Sequence, residues 1–156
     1  MSWSKGLLVG AAAGAAGTIA LNAITYLDMA LQGRATSSTP EHTVEKVAEK
    51  AHLPIPGDDE TRDNRISGLG PLLGIAAGVG VGAALGLFQS SGWRPSFHAT
   101  SVAAAAGAMV AGNAPMSLLG ITDPREWSAV DWASAVIPHI AYGAVTAYVL
   151  ESAGRP

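Results

Sequence analysis

Asn22, Asn113, His139 and Tyr142 are polar side chains set inside long stretches of this 156-residue sequence that carry no formal charge. A carboxamide, an imidazole and a phenol can hold a solute, pass a proton or tie one chain segment to another. Polar groups of this kind are costly in hydrocarbon, so each is a candidate functional position. Thr18 and Thr25 share the Asn22 face, Asn113 stands two residues before Pro115, and His139 directly follows Pro138. Each proline lacks a backbone donor and frees a carbonyl one turn earlier, those of Ala111 and Ser134, which side chains or water must then satisfy. Histidine titrates near neutral pH, but no Asp or Glu lies deep in these stretches to act with it. Asp28, Asp131 and Glu151 fall at their ends. Asn and His between helices most often serve as hydrogen-bond glue, each contributing about 0.6 kcal/mol.

Other chemistry is poorly supplied. With no cysteine there is no disulfide and no thiolate metal site, and no two histidines have the spacing of a helical metal site. His98 reads as an interfacial residue, and His42 and His52 lie in a polar segment. No serine sits in a nucleophile elbow. The glycine-rich stretches do not follow a strand and lack the lysine or downstream acid of a phosphate-binding loop. The formal charge of −3 leaves no basic patch for nucleic acid. The sequence therefore predicts no enzyme, no cofactor, no metal and no nucleic-acid partner.

The elements that must position the four polar residues are read from charge. Only 13% of residues are charged, about half the soluble average, and 13 of the 21 lie between Asp28 and Arg65. Elsewhere, uncharged runs extend over 6–27, 66–93, 95–122 and 132–150. Crossing a hydrocarbon core takes roughly 20 residues of helix, which predicts transmembrane helices near 6–27, 69–88, 97–119 and 130–150. Trp3, Tyr26, Trp93, Phe97, Trp127, Trp132 and Tyr148 fall near the ends of these helices, at headgroup depth. A soluble Ala/Gly-rich bundle would keep a charged face, and these runs have none. The first run follows Lys5 but is long for a signal peptide and lacks a small-x-small cleavage site near Asn22, so it reads as a helix. The fold class is all-α: an integral-membrane four-helix bundle forming a single domain, 1–156. The first and third helices run the same way, and Asn22 and Asn113 each fall 16 residues after their helix starts. With His139 and Tyr142 on the returning fourth helix, they predict a polar pocket open towards the long loop, 28–68.

Glycine recurs at every fourth position in the second run: Gly70, Gly74, Gly78, Gly82 and Gly86. In water an interior glycine costs up to about 1 kcal/mol relative to alanine. In lipid, small residues four apart let two helix backbones approach, so the five predict one continuous packing stripe. Gly6, Gly10 and Gly14 lead into Thr18, Asn22 and Tyr26 in the first run. Ala99, Ala103, Gly107 and Ala111 repeat the spacing in the third, and Ala135, His139, Gly143 and Ala147 in the fourth.

Within the long loop, "TPEHTVEKVAEKAHLP" predicts a short amphipathic helix with Thr39 as N-cap and Pro40 at its first position, lying on the bilayer or on the bundle. "IPGDDETRDNR" reads as an exposed polar loop. Thr122–Glu126 reads as a helix start, Asp123 capping it and Glu126 completing a capping box. Arg34, Lys46, Lys50, Arg62, Arg65 and Arg125 fall on the long-loop side, and Lys5, Arg94 and Arg155 on the other. That asymmetry predicts a multi-pass protein of the cell membrane with a cytoplasmic long loop.

"STPEHTVEKVAEKAHLP", "DNRISGLGPLLG" and the Gly/Ala-rich helix that follows resemble uncharacterised four-helix integral membrane proteins common in actinobacteria. The resemblance implies membrane location and topology and supplies no activity. Two functions are compatible with these readings. The first is a non-catalytic accessory or assembly subunit, packing through small-residue stripes as a homo-oligomer or with another membrane protein. The second is a small oligomeric channel or carrier lined by Asn22, Asn113, His139 and Tyr142.

Overall fold

The computed structural model describes residues 2–154, so the Arg155 counted above lies outside the described residues. Among them the secondary structure is helical, without strands: α1 (Trp3–Gln32), α2 (Thr39–Lys50), α3 (Asp59–Ser90), α4 (Phe97–Leu118) and α5 (Ala129–Gly154), with a 3-10 turn at Pro124–Glu126. Local chemistry sets the boundaries. Ser2, Asp58 and Ser96 cap α1, α3 and α4, their side chains accepting from the backbone amides of Lys5, Thr61 and Ala99. Gly33, at φ 63°, ends α1 in the left-handed conformation that glycine adopts without strain.

Several expected boundaries move. α1 and α3 are longer than 6–27 and 69–88, because their ends run past the uncharged stretches into charged sequence. The "DETRDNR" half of the expected polar loop is the first two turns of α3, where Asp59 and Glu60 complement the positive end of the helix dipole. Thr39 is the first residue of α2 and Ser38 is its cap. Asp123 caps the 3-10 turn, not a long helix. The reciprocal cap of α5 lies further on: the Asp131 amide donates to Ser128 Oγ at 3.2 Å, and the Ser128 amide donates to Asp131 Oδ2 at 2.9 Å.

Three helices, α1, α3 and α5, are long and apolar enough to cross a membrane. α4 has 22 residues and carries no formal charge, but its alanines, glycines, His98 and Asn113 leave it outside these three. α1 packs antiparallel to both α3 and α5, and α5 packs antiparallel to α4. α3 and α4 meet along a thinner seam, and α2 rests on α3. The interior side chains are mostly small: Ala13, Ala104, Ala108 and Ala147 are buried, with Leu85, Leu150 and Tyr142. The large apolar side chains face outward, Ile19 at 70%, Val102 at 68% and Leu118 at 83% exposure.

α1 and α3 meet backbone to backbone. A Cβ on Gly14 would lie 2.5 Å from the Gly78 carbonyl oxygen, and one on Gly82 would lie 2.5 Å from Gly14 Cα. Gly10 is opposed to Gly82, and Gly6 to Gly86 and Ser90. Gly143 makes the corresponding approach of α5 to Ser101 and Ala105 of α4. The α3 glycines are not one continuous stripe, however. Gly70 faces Pro40 and Glu41 of α2, and nothing lies within 4 Å of a Cβ on Gly74. At 3.6 residues per turn every fourth residue advances about 40° around the axis, so glycines 16 residues apart leave the face that α1 covers. Gly82→Ala should lower stability in detergent by about 1–3 kcal/mol, because backbone on both sides must move. Gly74→Ala should leave it unchanged or raised, helix propensity being its only consequence. Thermal unfolding of the two variants beside the parent measures the difference.

Candidate functional site: the polar residues between the helices

Tyr142 occupies the joint of α1, α3 and α5. Its side chain is fully buried, and its hydroxyl donates to the Gly78 carbonyl at 2.6 Å. Room for the ring comes from two missing side chains. A Cβ on Gly17 would lie 2.8 Å from Tyr142 Cδ2, and one on Gly78 would lie 3.4 Å from Tyr142 Cε2. One turn along α5, Thr146 Oγ1 reaches the Ala13 carbonyl at 3.4 Å, and across the joint Thr18 Oγ1 donates to the Gly14 carbonyl at 2.8 Å. Both threonines are buried. Three polar side chains thus come together where α1 crosses α3 and α5, each with its proton on a backbone carbonyl.

The other three candidates do not join that cluster by hydrogen bonds. Asn113 donates to Met109 O at 2.9 Å, one turn back on α4. His139 donates through Nδ1 to Ala135 O at 2.7 Å, which fixes the Nδ1–H tautomer when the ring is neutral. Neither bond lands on the carbonyls of Ala111 or Ser134 that the prolines free. Asn22 is half-buried on α1. Among the described residues no hydrogen bond connects any two of Asn22, Asn113, His139 and Tyr142. Gly17 and Thr146 were not singled out in the sequence. The signal for Thr146 was its position four residues after Tyr142, on the same helix face. Gly17 is off the four-residue ladder that begins at Gly6, and only the ring it accommodates reveals its role.

A second polar cluster closes the long-loop end. Asp28 on α1 accepts from Arg34 Nη2 at 2.6 Å and Nε at 3.0 Å, from Gln32, and from Ser134 Oγ of α5 at 3.4 Å. Nearby in sequence, a surface cavity of about 620 Å³ lies over the turn before α5, lined by Ser117, Thr122, Asp123, Arg125 and Glu126 among others. Hydrogen bonds from the Arg125 side chain hold the Asp123 carboxyl below the usual carboxylate range. Both groups are exposed, and their pairing fixes the turn. Among the described residues no group of three or more His, Asp or Glu side chains is placed to hold a metal ion.

No family model matches this chain, and neither do any curated protein or solved structure. The geometry predicts an order of sensitivity. Tyr142→Phe should destabilise the fold by about 0.6–1.7 kcal/mol, the range for one hydrogen bond between membrane helices. Asn113→Ala should cost less, since it removes only a bond within its own helix. Chemical unfolding of both variants in the same detergent ranks them.

Proposed function

We propose that this chain is a non-catalytic integral membrane protein, a bundle of four spanning helices with α4 as the fourth, and that it acts as an accessory or assembly subunit. The membrane reading is supported by the inverted distribution of side chains: glycine, alanine and threonine inside, leucine, isoleucine and valine outside. In water such a surface would be an association liability. In lipid it is the expected one, because contact between small residues holds helices together there. The lipid bilayer is its surroundings and the cell membrane its location, with the long loop on the cytoplasmic side.

The observation that carries the subunit role is the bare stretch of α3 from Pro71 to Ala76. All six residues are exposed, and Gly74 within it has open space where a Cβ would stand. Gly74, at a helix surface that no helix of this chain covers, leaves a notch among the exposed Leu72, Leu73 and Ile75 into which a helix of another copy or another protein can pack. The channel reading has less support, because the Tyr142 hydroxyl is engaged with Gly78 and the Asn113 and His139 bonds stay within their own helices.

Two experiments test the proposal. The sequence has no cysteine, so single cysteines at Gly57 and Gly92 report topology without background. In intact cells a membrane-impermeant maleimide should label position 92 and leave position 57 unlabelled; labelling of both or neither refutes the topology. For the subunit role, Gly74→Leu should abolish the complex seen by native mass spectrometry while the unfolding midpoint stays that of the parent. An unchanged complex would remove this face from consideration.

A further inference from the structure

The geometry points to a binding site for one anionic phospholipid in the seam between α3 and α4, its acyl chain lying in an apolar groove and its phosphate paired with Arg94. The inference rests on the membrane reading above. The groove has a volume of about 560 Å³ and an almost wholly apolar lining. Val81, Ala84 and Phe88 of α3 form one wall, and Ala103 and Gly107 of α4 the other, with Trp93 closing the end. It exists because α3 and α4 pack more thinly than the other neighbouring long helices. Where they do touch, the residues are small: a Cβ on Gly107 would already press on Val81 Cγ1 at 3.2 Å. The space is therefore an open, apolar groove along the seam, on which a hydrocarbon chain can lie. The eight residues from Val81 to Phe88 give it a length of about 10 Å, seven steps at 1.5 Å each.

The closed end selects the headgroup. Phe88 and Trp93 meet edge to face at 6.2 Å, and a tryptophan at the end of a spanning helix marks headgroup depth. Arg94 follows directly. Its side chain is exposed and makes no ion pair or side-chain hydrogen bond among the described residues. Of the other arginines described, Arg34, Arg62 and Arg125 are paired with acids, and Arg65 donates to the Pro56 carbonyl. Glu151, the acid at this end, belongs to α5, which does not line the groove. A guanidinium at headgroup depth beside an apolar channel complements a phosphate joined to an acyl chain, and guanidinium binds phosphate through paired N–H donors.

Titration of the purified full-length protein with phosphatidylglycerol and with phosphatidylcholine of the same chains, counted by native mass spectrometry, tests this. The parent should hold one phosphatidylglycerol about five-fold more tightly than phosphatidylcholine, the preference a single basic group confers near an anionic surface. Arg94→Gln should bring the two lipids level. Ala84→Leu, at an exposed position in the groove wall, should weaken both. Equal binding of the two lipids by the parent, or a preference that survives Arg94→Gln, overturns the site and leaves the membrane reading standing. Loss of the preference in excess inorganic phosphate also overturns it, since a bare anion would then suffice. Failure of the membrane reading would show separately, as positions 57 and 92 both labelled or both unlabelled by the impermeant maleimide in intact cells.

Discussion

The approach of α1 to α3 at Gly10, Gly14, Gly78 and Gly82 constrains the rest of the molecule. Where backbone lies on backbone there is no side chain to yield, so an added Cβ would force the two helices apart. That crossing sets the depth of Gly78, whose carbonyl receives the Tyr142 hydroxyl. It also sets the position of Gly17, whose missing side chain admits the Tyr142 ring. α5 is therefore located by a bond and a hollow that exist only because α1 and α3 are already close. α4 follows, held to α5 at Gly143. The order of dependence runs from the glycines to the tyrosine and from the tyrosine to the last helix pair.

Tyr142 also shows what a polar group can do in an interior with little water. Its phenol forms a single bond that crosses between helices, Thr146 reaches across to the Ala13 carbonyl of α1, and Thr18 bonds the Gly14 carbonyl within α1. Each donor is used and none is left to compete for a solute. The ionic groups lie elsewhere. Asp28 sits at the end of α1, where it gathers Arg34, Gln32 and Ser134 into one cluster and links the exit of α1 to the start of α5. Charges at the ends and neutral donors in the middle are the distribution that a low-dielectric slab favours.

Much of this architecture was legible in the sequence, because a long uncharged run and a glycine repeat are one-dimensional signals. The helical class and the three long apolar helices follow from the runs alone. The contact faces were only half legible. Spacing singles out Gly10, Gly14, Gly78, Gly82 and Gly143, where an added Cβ would meet a neighbouring helix, but an every-fourth-residue rule ignores rotation around the helix, so it also takes in Gly74, where a Cβ would meet nothing within 4 Å. The polar residues were the least legible. Asn22, Asn113, His139 and Tyr142 share a depth interval by counting, yet depth says nothing about azimuth; the Tyr142 hydroxyl bonds across to another helix, while the Asn113 and His139 bonds stay within their own. The missed helix starts have the same origin: Asp58 and Ser128 act through local capping geometry that a hydropathy run does not register.

The same packing logic distinguishes the covered faces of the helices from the free ones. The interior is closed mostly by glycine and alanine, and the buried hydroxyls of Tyr142, Thr18 and Thr146 are each engaged with a backbone carbonyl. What remains variable is the outside, where helix faces are either smooth or ridged. α3 presents both kinds. Towards Ser90 its small face is covered by α1 and its side wall forms the groove with α4. Towards Pro71 the chain has turned by the rotation that carried Gly74 out of the contact, and no helix of this chain covers it. An i, i+4 glycine repeat longer than three or four members on a straight helix must serve more than one partner. Within this chain α1 takes Gly78, Gly82 and Gly86, and α2 takes Gly70. Gly74, between them, has open space where a side chain would stand.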